Sequence, residues 1–411
     1  MITKRIIHIV HTMDPKSGGV SQAVDTIIAG LTRLGVHSEV ASLDAPDAGY
    51  LGGYPFPIHA LGPGQGPWAY SAKLIPWLRA TLHQFDRVIV HGLWLYYSYA
   101  TFEAVKQSRW TGSAPPPIYV MPHGMLDPYF QQAPSRKLKA VRNWAYWKLI
   151  ERNVVNQADG LLFTCMEELR LACQPFRPYR PKHEINVGYG IQAPPPFTPA
   201  MADAFRAKCP GLDGQPYLLF LSRVNYKKGV DLLIKAYSIL VETYSKTAYQ
   251  LPKLVIAGPG LDTDYGQDIR QLLNSLQFPD STVFLPGMLM GDAKWGAFYG
   301  CDAFVLPSHQ ENFGIAVVEA LSCRKPVLIS DKVNIFREIV AARACFSGPD
   351  TVDGTLDSLK CWLRLTSDEK REMAARAHNA FKNEFSIGPA AERLLSAVSN
   401  PQLLTNHEYP A

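Results

Sequence analysis

The chain has 411 residues, 47% hydrophobic and 19% charged, with a net charge of +5. That is ordinary globular composition, long enough for two domains of typical size. No apolar run approaches the eighteen or more residues that a membrane-spanning helix needs, and so small a net charge does not imply nucleic acid as a partner.

The opening stretch, MITKRIIHIVHTMD, carries basic residues and an apolar run, but no small-residue cleavage site follows it. His8, His11 and Thr12 interrupt the run, so it reads as a first β-strand and not as a signal peptide. Seven cysteines, odd in number and without a Cys-x-x-Cys pair, suit reduced thiols and a cytoplasmic location. Further strands are expected at HSEVASL, RVIVHG, PIYVMPHG, GLLFTC and HEINVGYG. In the second half they are expected at YLLFLSRV, KLVIAGPG, TVFLPGML, DAFVLPS and PVLISD. Several are near-continuous hydrophobic runs, as strands buried on both faces must be, and they alternate with helical patterns. The fold class is therefore α/β, with doubly wound parallel sheets. Pro194, Pro195, Pro196 and Pro199 form a stiff connector, dividing the chain into domains 1–195 and 196–385. A last helical segment, within 386–411, either caps the second domain or crosses back to the first.

Residues 135–155 carry Arg136, Lys137, Lys139, Arg142, Lys148 and Arg152 against Glu151 alone. Leu138, Val141, Ala145 and Leu149 recur at helical spacing beside Trp144, Tyr146 and Trp147. Two readings fit: a helix resting on an anionic membrane surface, or a packed helix with a solvated basic face.

In open parallel sheets, ligands bind beyond the carboxyl ends of the strands, and with two such domains the natural site is the cleft between them. Four strand ends carry polar residues that an ordinary turn does not require. After the first strand, Gly18 and Gly19 open a helix whose unpaired N–H groups favour an anion; a Gly-Gly turn without a ligand fits equally. His123, in VMPHGML, either faces the cleft or is a structural histidine. Arg223, at the tip of LFLSRV, and Lys228, before Gly229, are two cations suited to clamping a diphosphate. In SHQENFGIAVVEALS, Glu311 lies in a loop and Glu319 over a turn into the helix that follows. Glu384 and Glu392 share the same separation, so the spacing alone is weak. In context it is strong: the Asn312, Phe313 and Gly314 amides lie between two carboxylates, each able to accept hydrogen bonds from a vicinal diol.

Together these residues resemble the family 4 retaining glycosyltransferases, the glycosyl transferases group 1 of GT-B fold. The resemblance runs through SGGV, PHG, LSRVNYKKGVDLLIKAY, VIAGPG, FLPG, CDAFVLPSHQENFGIAVVEAL and KPVLIS. It implies two Rossmann-like domains facing a cleft, with the acceptor on the first and a nucleotide-sugar donor on the second. It further implies Glu311 on hydroxyls of the transferred sugar, Glu319 on the ribose, and Arg223 and Lys228 on the diphosphate. Amides at Gly19 and around Phe313 and Gly314 would assist, His123 would approach the sugar near the reacting carbon, and backbone around Leu289 would face the base. The implied activity is hexose transfer to a saccharide or lipid-linked saccharide in surface polysaccharide synthesis, with neither cofactor nor metal. Two departures stand out: Arg324 occupies a usual glycine position, and VNIFRE replaces a frequent Gly-Gly before Glu338.

Three rival readings remain at this point. Asp262 and Asp264 have the Asp-x-Asp form that holds a divalent ion in transferases of the other common fold. A non-catalytic nucleotide-sugar-binding subunit and a sugar-nucleotide epimerase both suit the same architecture, since a fold alone does not fix an activity.

Overall fold

A computed structural model describes residues 4–110, 114–132, 136–247 and 249–400. Ser135 of the basic segment and residues 401–411 of the expected C-terminal tail lie outside the described residues. The chain divides into two compact units: residues up to Gly190 together with those from Ile387 onward, and the intervening Ile191–Ser386.

The N-terminal unit is built on a parallel sheet of β1 (Arg5–Val10), β2 (His37–Ser42), β3 (Ile58–Ala60), β4 (Arg87–His91), β5 (Ile118–Met121), β6 (Gly160–Phe163) and β7 (Glu184–Asn186). Their spatial order is β3-β2-β1-β4-β5-β6-β7. The C-terminal unit repeats the plan with β8 (Tyr217–Leu221), β9 (Lys253–Ala257), β10 (Val283–Gly287), β11 (Ala303–Leu306), β12 (Val327–Ser330) and β13 (Cys345–Gly348), ordered β10-β9-β8-β11-β12-β13. In each sheet the strand order reverses once, between β1 and β4 and between β8 and β11. Ligands of doubly wound sheets bind at such reversals, where the loops on either side part. The central strands are apolar throughout because helices cover both faces: Ile6, Ile7, Val88, Ile89 and Val90 are fully buried, as are Phe304 and Val327.

The first crossing between units falls at Gly190–Ile191, a few residues before the proline run, and not at 195. Ile191 donates its N–H to the Phe385 carbonyl and bridges Ser386, so the two crossing segments are tied side by side. The prolines belong to the C-terminal unit, where the Pro195 carbonyl accepts from the Tyr299 hydroxyl. Helix Ile387–Ser399 packs on helix Gly19–Arg33 of the N-terminal unit, burying Ile387, Ala391, Leu394 and Val398. The contact is close at Gly30, where a methyl group would stand 2.8 Å from both Ala391 and Ile387 side chains.

The basic segment forms helix Lys137–Tyr146, one π-turn at Trp147–Glu151 and helix Arg152–Gln157. Its inward face is Asn143, Tyr146, Trp147, Glu151, Val154 and Val155, with Trp147 stacked on Phe176 at 4.9 Å. Of the helically spaced Leu138, Val141, Ala145 and Leu149, all but half-buried Ala145 are turned to solvent, together with Trp144; Leu138 is 88% and Leu149 77% exposed. Helical spacing identified the stripe, but it is not the packing face. Among the described residues no helix is long and apolar enough to cross a membrane.

Candidate functional site

The two strands flanking the reversal in the C-terminal unit each deliver part of one polar cluster. Beyond β8 the chain places Ser222 and Arg223, then a short 3-10 turn, Tyr226–Lys228, capped by the Asn225 side chain on the Lys227 N–H. Gly229 follows with φ 65°, and a Cβ there would lie 2.0 Å from the Pro307 carbonyl oxygen at the end of β11. Only glycine lets the two strand ends approach so closely. Beyond β11, residues 307–314 lead into helix Ile315–Ser322.

That approach brings Lys228 and Glu311 together: the ammonium donates to Oε2 of the carboxylate, both largely shielded from solvent. Glu311 is also fixed through its backbone. Its N–H donates to the Lys332 carbonyl at 2.9 Å, and its carbonyl accepts from the Asn334 N–H at 2.9 Å. The segment that departs from the family pattern, around Val333 and Asn334, therefore supports the loop carboxylate. His309 steadies the other side, stacking on Tyr226 at 4.7 Å and reaching Asp350 at 2.8 Å.

One turn into the helix, Glu319 accepts from Lys294 at 2.6 Å. Burial pushes the Glu319 carboxyl above its usual range, and Lys294 opposes the rise. Lys294 comes from helix Gly291–Gly300 and was not singled out in the sequence; its one signal was position, just after FLPG and Leu289. Leu289 itself is buried between exposed Met288 and Met290, and Phe313 is buried with its ring 6.0 Å from Phe385. Arg223 is exposed at the strand tip and makes no hydrogen bond or ion pair among the described residues. The cluster thus offers one uncommitted guanidinium, two lysine–glutamate pairs and, at Asn312–Gly314, the start of a helix. An anion flanked by hydroxyl-bearing groups matches that set.

Arg324 lies just past this helix with φ 61°, where its N–H donates to Leu321 and the next N–H to Ala320. This is the left-handed helix terminus that glycine normally fills, and a side chain there costs about 1–2 kcal/mol. Arg324→Gly is expected to raise unfolding stability by about 0.5–1 kcal/mol, allowing for the extra freedom of glycine in the unfolded chain. Urea midpoints of the two proteins would check it.

The Asp262 and Asp264 carboxylates are exposed and flank the start of helix Asp264–Ser275. Thr263 caps that helix by accepting from the Gly266 N–H, and Asp264 sits in the first turn, where a negative charge favours the helix dipole.

Gly18, Gly19 and His123 belong to the N-terminal unit. Gly18, with φ 111°, precedes helix Gly19–Arg33, and nothing lies within 4 Å of where a methyl on either glycine would point. Buried Asp44 braces this strand end, accepting from the Met13 N–H and the Tyr50 hydroxyl. His123 follows β5 and, unusually for a non-glycine residue, has φ 52°. Its loop is pinned by buried Glu168, which accepts from the Gly124 N–H and from the Thr164 N–H and hydroxyl. His123 is half-buried, its Nε2 3.0 Å from Nδ1 of His91, and burial lowers its pKa to about 4. His91, Glu168, Asp44 and Lys294 all escaped sequence reasoning.

Two parallel units with matched strand orders, each opening polar residues at its reversal point, make this a two-domain α/β protein of the GT-B class. The description "Glycosyl transferase 4-like domain" matches residues 18–186, and "Glycosyl transferases group 1" matches residues 202–379. The chain belongs to the family 4 glycosyltransferases of GT-B fold. It is similar to an uncharacterised glycosyltransferase, MJ1607, of Methanocaldococcus jannaschii: 35% identical over 31% of this chain and 30% of that protein. It is also similar to a D-inositol 3-phosphate glycosyltransferase of Gordonia bronchialis, 30% identical over 49% of this chain and 44% of that protein. These matches therefore span less than half the length of either relative. Anabaena HepE, solved in complex with UDP-glucose, shares the fold at a TM-score of 0.68 and 16% identity, over 96% of this chain and 99% of that one.

Proposed function

We propose that the protein is a retaining hexosyltransferase. Its donor would be a nucleoside-diphosphate hexose and its acceptor a saccharide or lipid-linked saccharide of surface polysaccharide synthesis. The observation that carries this reading is the pairing of Lys228 with Glu311 and of Lys294 with Glu319 around one helix start, beside the uncommitted Arg223. In the donor complex Lys228 turns to the diphosphate with Arg223, freeing Glu311 for sugar hydroxyls; Glu319 takes the ribose and backbone near Leu289 faces the base. Amides around Phe313 and Gly314 add donors for the anion.

Charge dictates the rest. As the anomeric carbon–oxygen bond to the phosphate breaks, positive charge grows on the sugar and negative charge on the departing diphosphate. Preorganised cations and amides stabilise the second without reorganising. The acceptor hydroxyl then attacks from the face that the phosphate leaves, giving up its proton to a phosphate oxygen, so configuration is retained. Since the cations already neutralise the diphosphate, no divalent metal is required.

Thermal unfolding with UDP, GDP, ADP and dTDP, each with chelator, tests this. UDP comes first, because HepE binds UDP-glucose on the same fold. A nucleotide at 100 times its Kd adds about 2.7 kcal/mol to the state it binds, a midpoint rise of several degrees. The expected rise for one nucleotide disappears in Arg223→Ala/Lys228→Ala. No rise with any nucleotide, with or without magnesium, overturns the donor reading. Labelled hexose reaching an acceptor would then separate transfer from mere binding or epimerisation.

The outward stripe of the 137–152 helices supports docking on an anionic membrane. Leu138, Val141, Trp144 and Leu149 would enter the headgroup layer while Lys137, Lys139, Arg142 and Lys148 meet lipid charge, each worth about 1 kcal/mol near the surface. Vesicles containing phosphatidylserine should bind the protein and release it as salt rises. The variant neutralised at Lys137, Lys139 and Arg142 should stay in solution; no vesicle binding by the unaltered protein removes the membrane from the proposal.

A further inference from the structure

Behind His123 stands a row of buried imidazoles. His8 lies in β1 and His91 ends β4, the strands on either side of the reversal in the N-terminal sheet, and His123 follows β5 next to them. His8 Nδ1 is 2.9 Å from His91 Nε2, and His91 Nδ1 is 3.0 Å from His123 Nε2. The rings lie nearly parallel, with centroids 5.2 and 5.3 Å apart. His8 is fully buried and its Nε2 has no hydrogen-bond partner; His91 is 1% exposed. His123 is half-buried, and its Nδ1 makes no hydrogen bond among the described residues.

Burial keeps all three neutral at pH 7, and a neutral imidazole carries one proton. Each nitrogen–nitrogen contact needs a donor on one side and a lone pair on the other, so the row is satisfied in just two ways. With every proton on Nδ1, His8 donates to His91, His91 donates to His123, and His123 keeps an N–H at its free end. With every proton on Nε2 the row runs backwards, and the His8 N–H points into the sheet core with no acceptor. A buried N–H without an acceptor is the rarer defect, which favours the first arrangement.

We propose that His8 and His91 are positioning residues that hold His123 uncharged with its proton on Nδ1, so that its free end meets the transferred hexose as a hydrogen-bond donor. This use of the donor rests on the transferase reading above; the state of the ring does not. A neutral donor suits that place, since an imidazolium would repel the positive charge that grows on the sugar ring during transfer. The orientation is set from inside the sheet, by residues that touch no ligand.

Nitrogen-15 NMR of the full chain with labelled histidine distinguishes protonated from bare ring nitrogens and assigns His123 by loss of its signals in His123→Ala. The unaltered protein should show His123 with Nδ1 protonated and Nε2 bare at pH 7. His91→Leu should abolish that single state, while His91→Asn, whose amide can still donate toward His123, should keep it. Initial rates should follow the same order: kcat lower by about 10–100-fold in His91→Leu, with the donor KM little changed, and largely restored in His91→Asn. A proton on Nε2 of His123, fast averaging between both nitrogens, or a ring state indifferent to His91→Leu overturns the proposal. Each of these is read without any transfer assay, so a failed donor assignment and a failed histidine assignment remain distinguishable.

Discussion

Lys228→Ala is expected to lower kcat/KM for the nucleotide-sugar donor by about 10²–10³, the usual loss when one preorganised donor to a developing anion is removed. Two effects act together. On the proposed function the diphosphate loses a cation that the Gly229 turn holds in place, and in the free enzyme Glu311 loses the partner that sets its carboxylate. Because the two side chains share one interaction, their removal should not be additive. Lys228→Ala/Glu311→Ala should therefore cost clearly less than the sum of the single losses, expressed as free energies. Lys228→Arg should recover little, since a planar fork does not replace a compact ammonium at a site bounded by two strand ends. Initial rates over a range of donor concentrations settle the matter. A Lys228→Ala enzyme within threefold of the parent would remove Lys228 from the donor site.

Mild acid should destabilise the N-terminal unit. His8 has a folded pKa near 3 and His123 near 4, both from burial, and His91 is likewise lowered well below its ordinary 6.5. Below pH 6.5 the unfolded chain binds protons at these three positions and the folded chain does not. Stability is thus present above pH 6.5 and is lost as pH falls toward the folded values, by about 1.4 kcal/mol per histidine per pH unit. Glu151 works the other way. Burial raises its carboxyl to about 8, so it folds protonated, and its contribution is largest below its ordinary 4.5 and declines as pH rises toward 8. Between pH 6 and 5, three histidines against one carboxyl leave a net of about two protons, or about 3 kcal/mol per unit. Against a typical domain stability of about 5–15 kcal/mol, the net loss between pH 7 and 5, about 3 kcal/mol, is a substantial fraction. Urea midpoints at pH 7, 6 and 5 should fall steeply, His8→Asn should flatten the slope by about one proton, and Glu151→Gln should steepen it by about the same. A midpoint flat between pH 7 and 5 would contradict the buried neutral row.

Hydrophobic runs made most strands legible, because a strand covered on both faces must be apolar end to end. The two that escaped, β3 and β13, are edge strands of three and four residues, neither fully buried, and IHA and CFSG carry little of that signal. The positions of Arg223, Lys228, Glu311 and Glu319 were readable because each follows a recognisable strand or lies at a helix start; their roles stay with the proposal. The contact of Lys294 with Glu319 was not readable, since it comes from a helix that begins beyond a different strand. His8 was noticed only as an interruption of an apolar run, and His91 as a strand's last residue. Their contact depends on β1 lying beside β4, eighty residues away, which local pattern does not encode. The basic helix shows the same limit on a smaller scale. Aromatic residues stand on both of its sides, Trp144 outside and Trp147 inside, so periodicity found a stripe without telling which way it faced.

The return of helix Ile387–Ser399 to the N-terminal unit makes the C-terminal unit an insertion in the chain. During synthesis the inserted unit has all of its residues once Ser386 has left the ribosome. The first unit, begun earlier, still lacks the helix that covers Gly30, Leu31 and the Ile6–Ile89 layer. At about 5–20 residues per second, the roughly two hundred inserted residues impose a wait of about 10–40 s, during which that apolar surface stays open. The unit that starts first is thus the one that finishes last, its apolar face uncovered for as long as the inserted unit takes to be made.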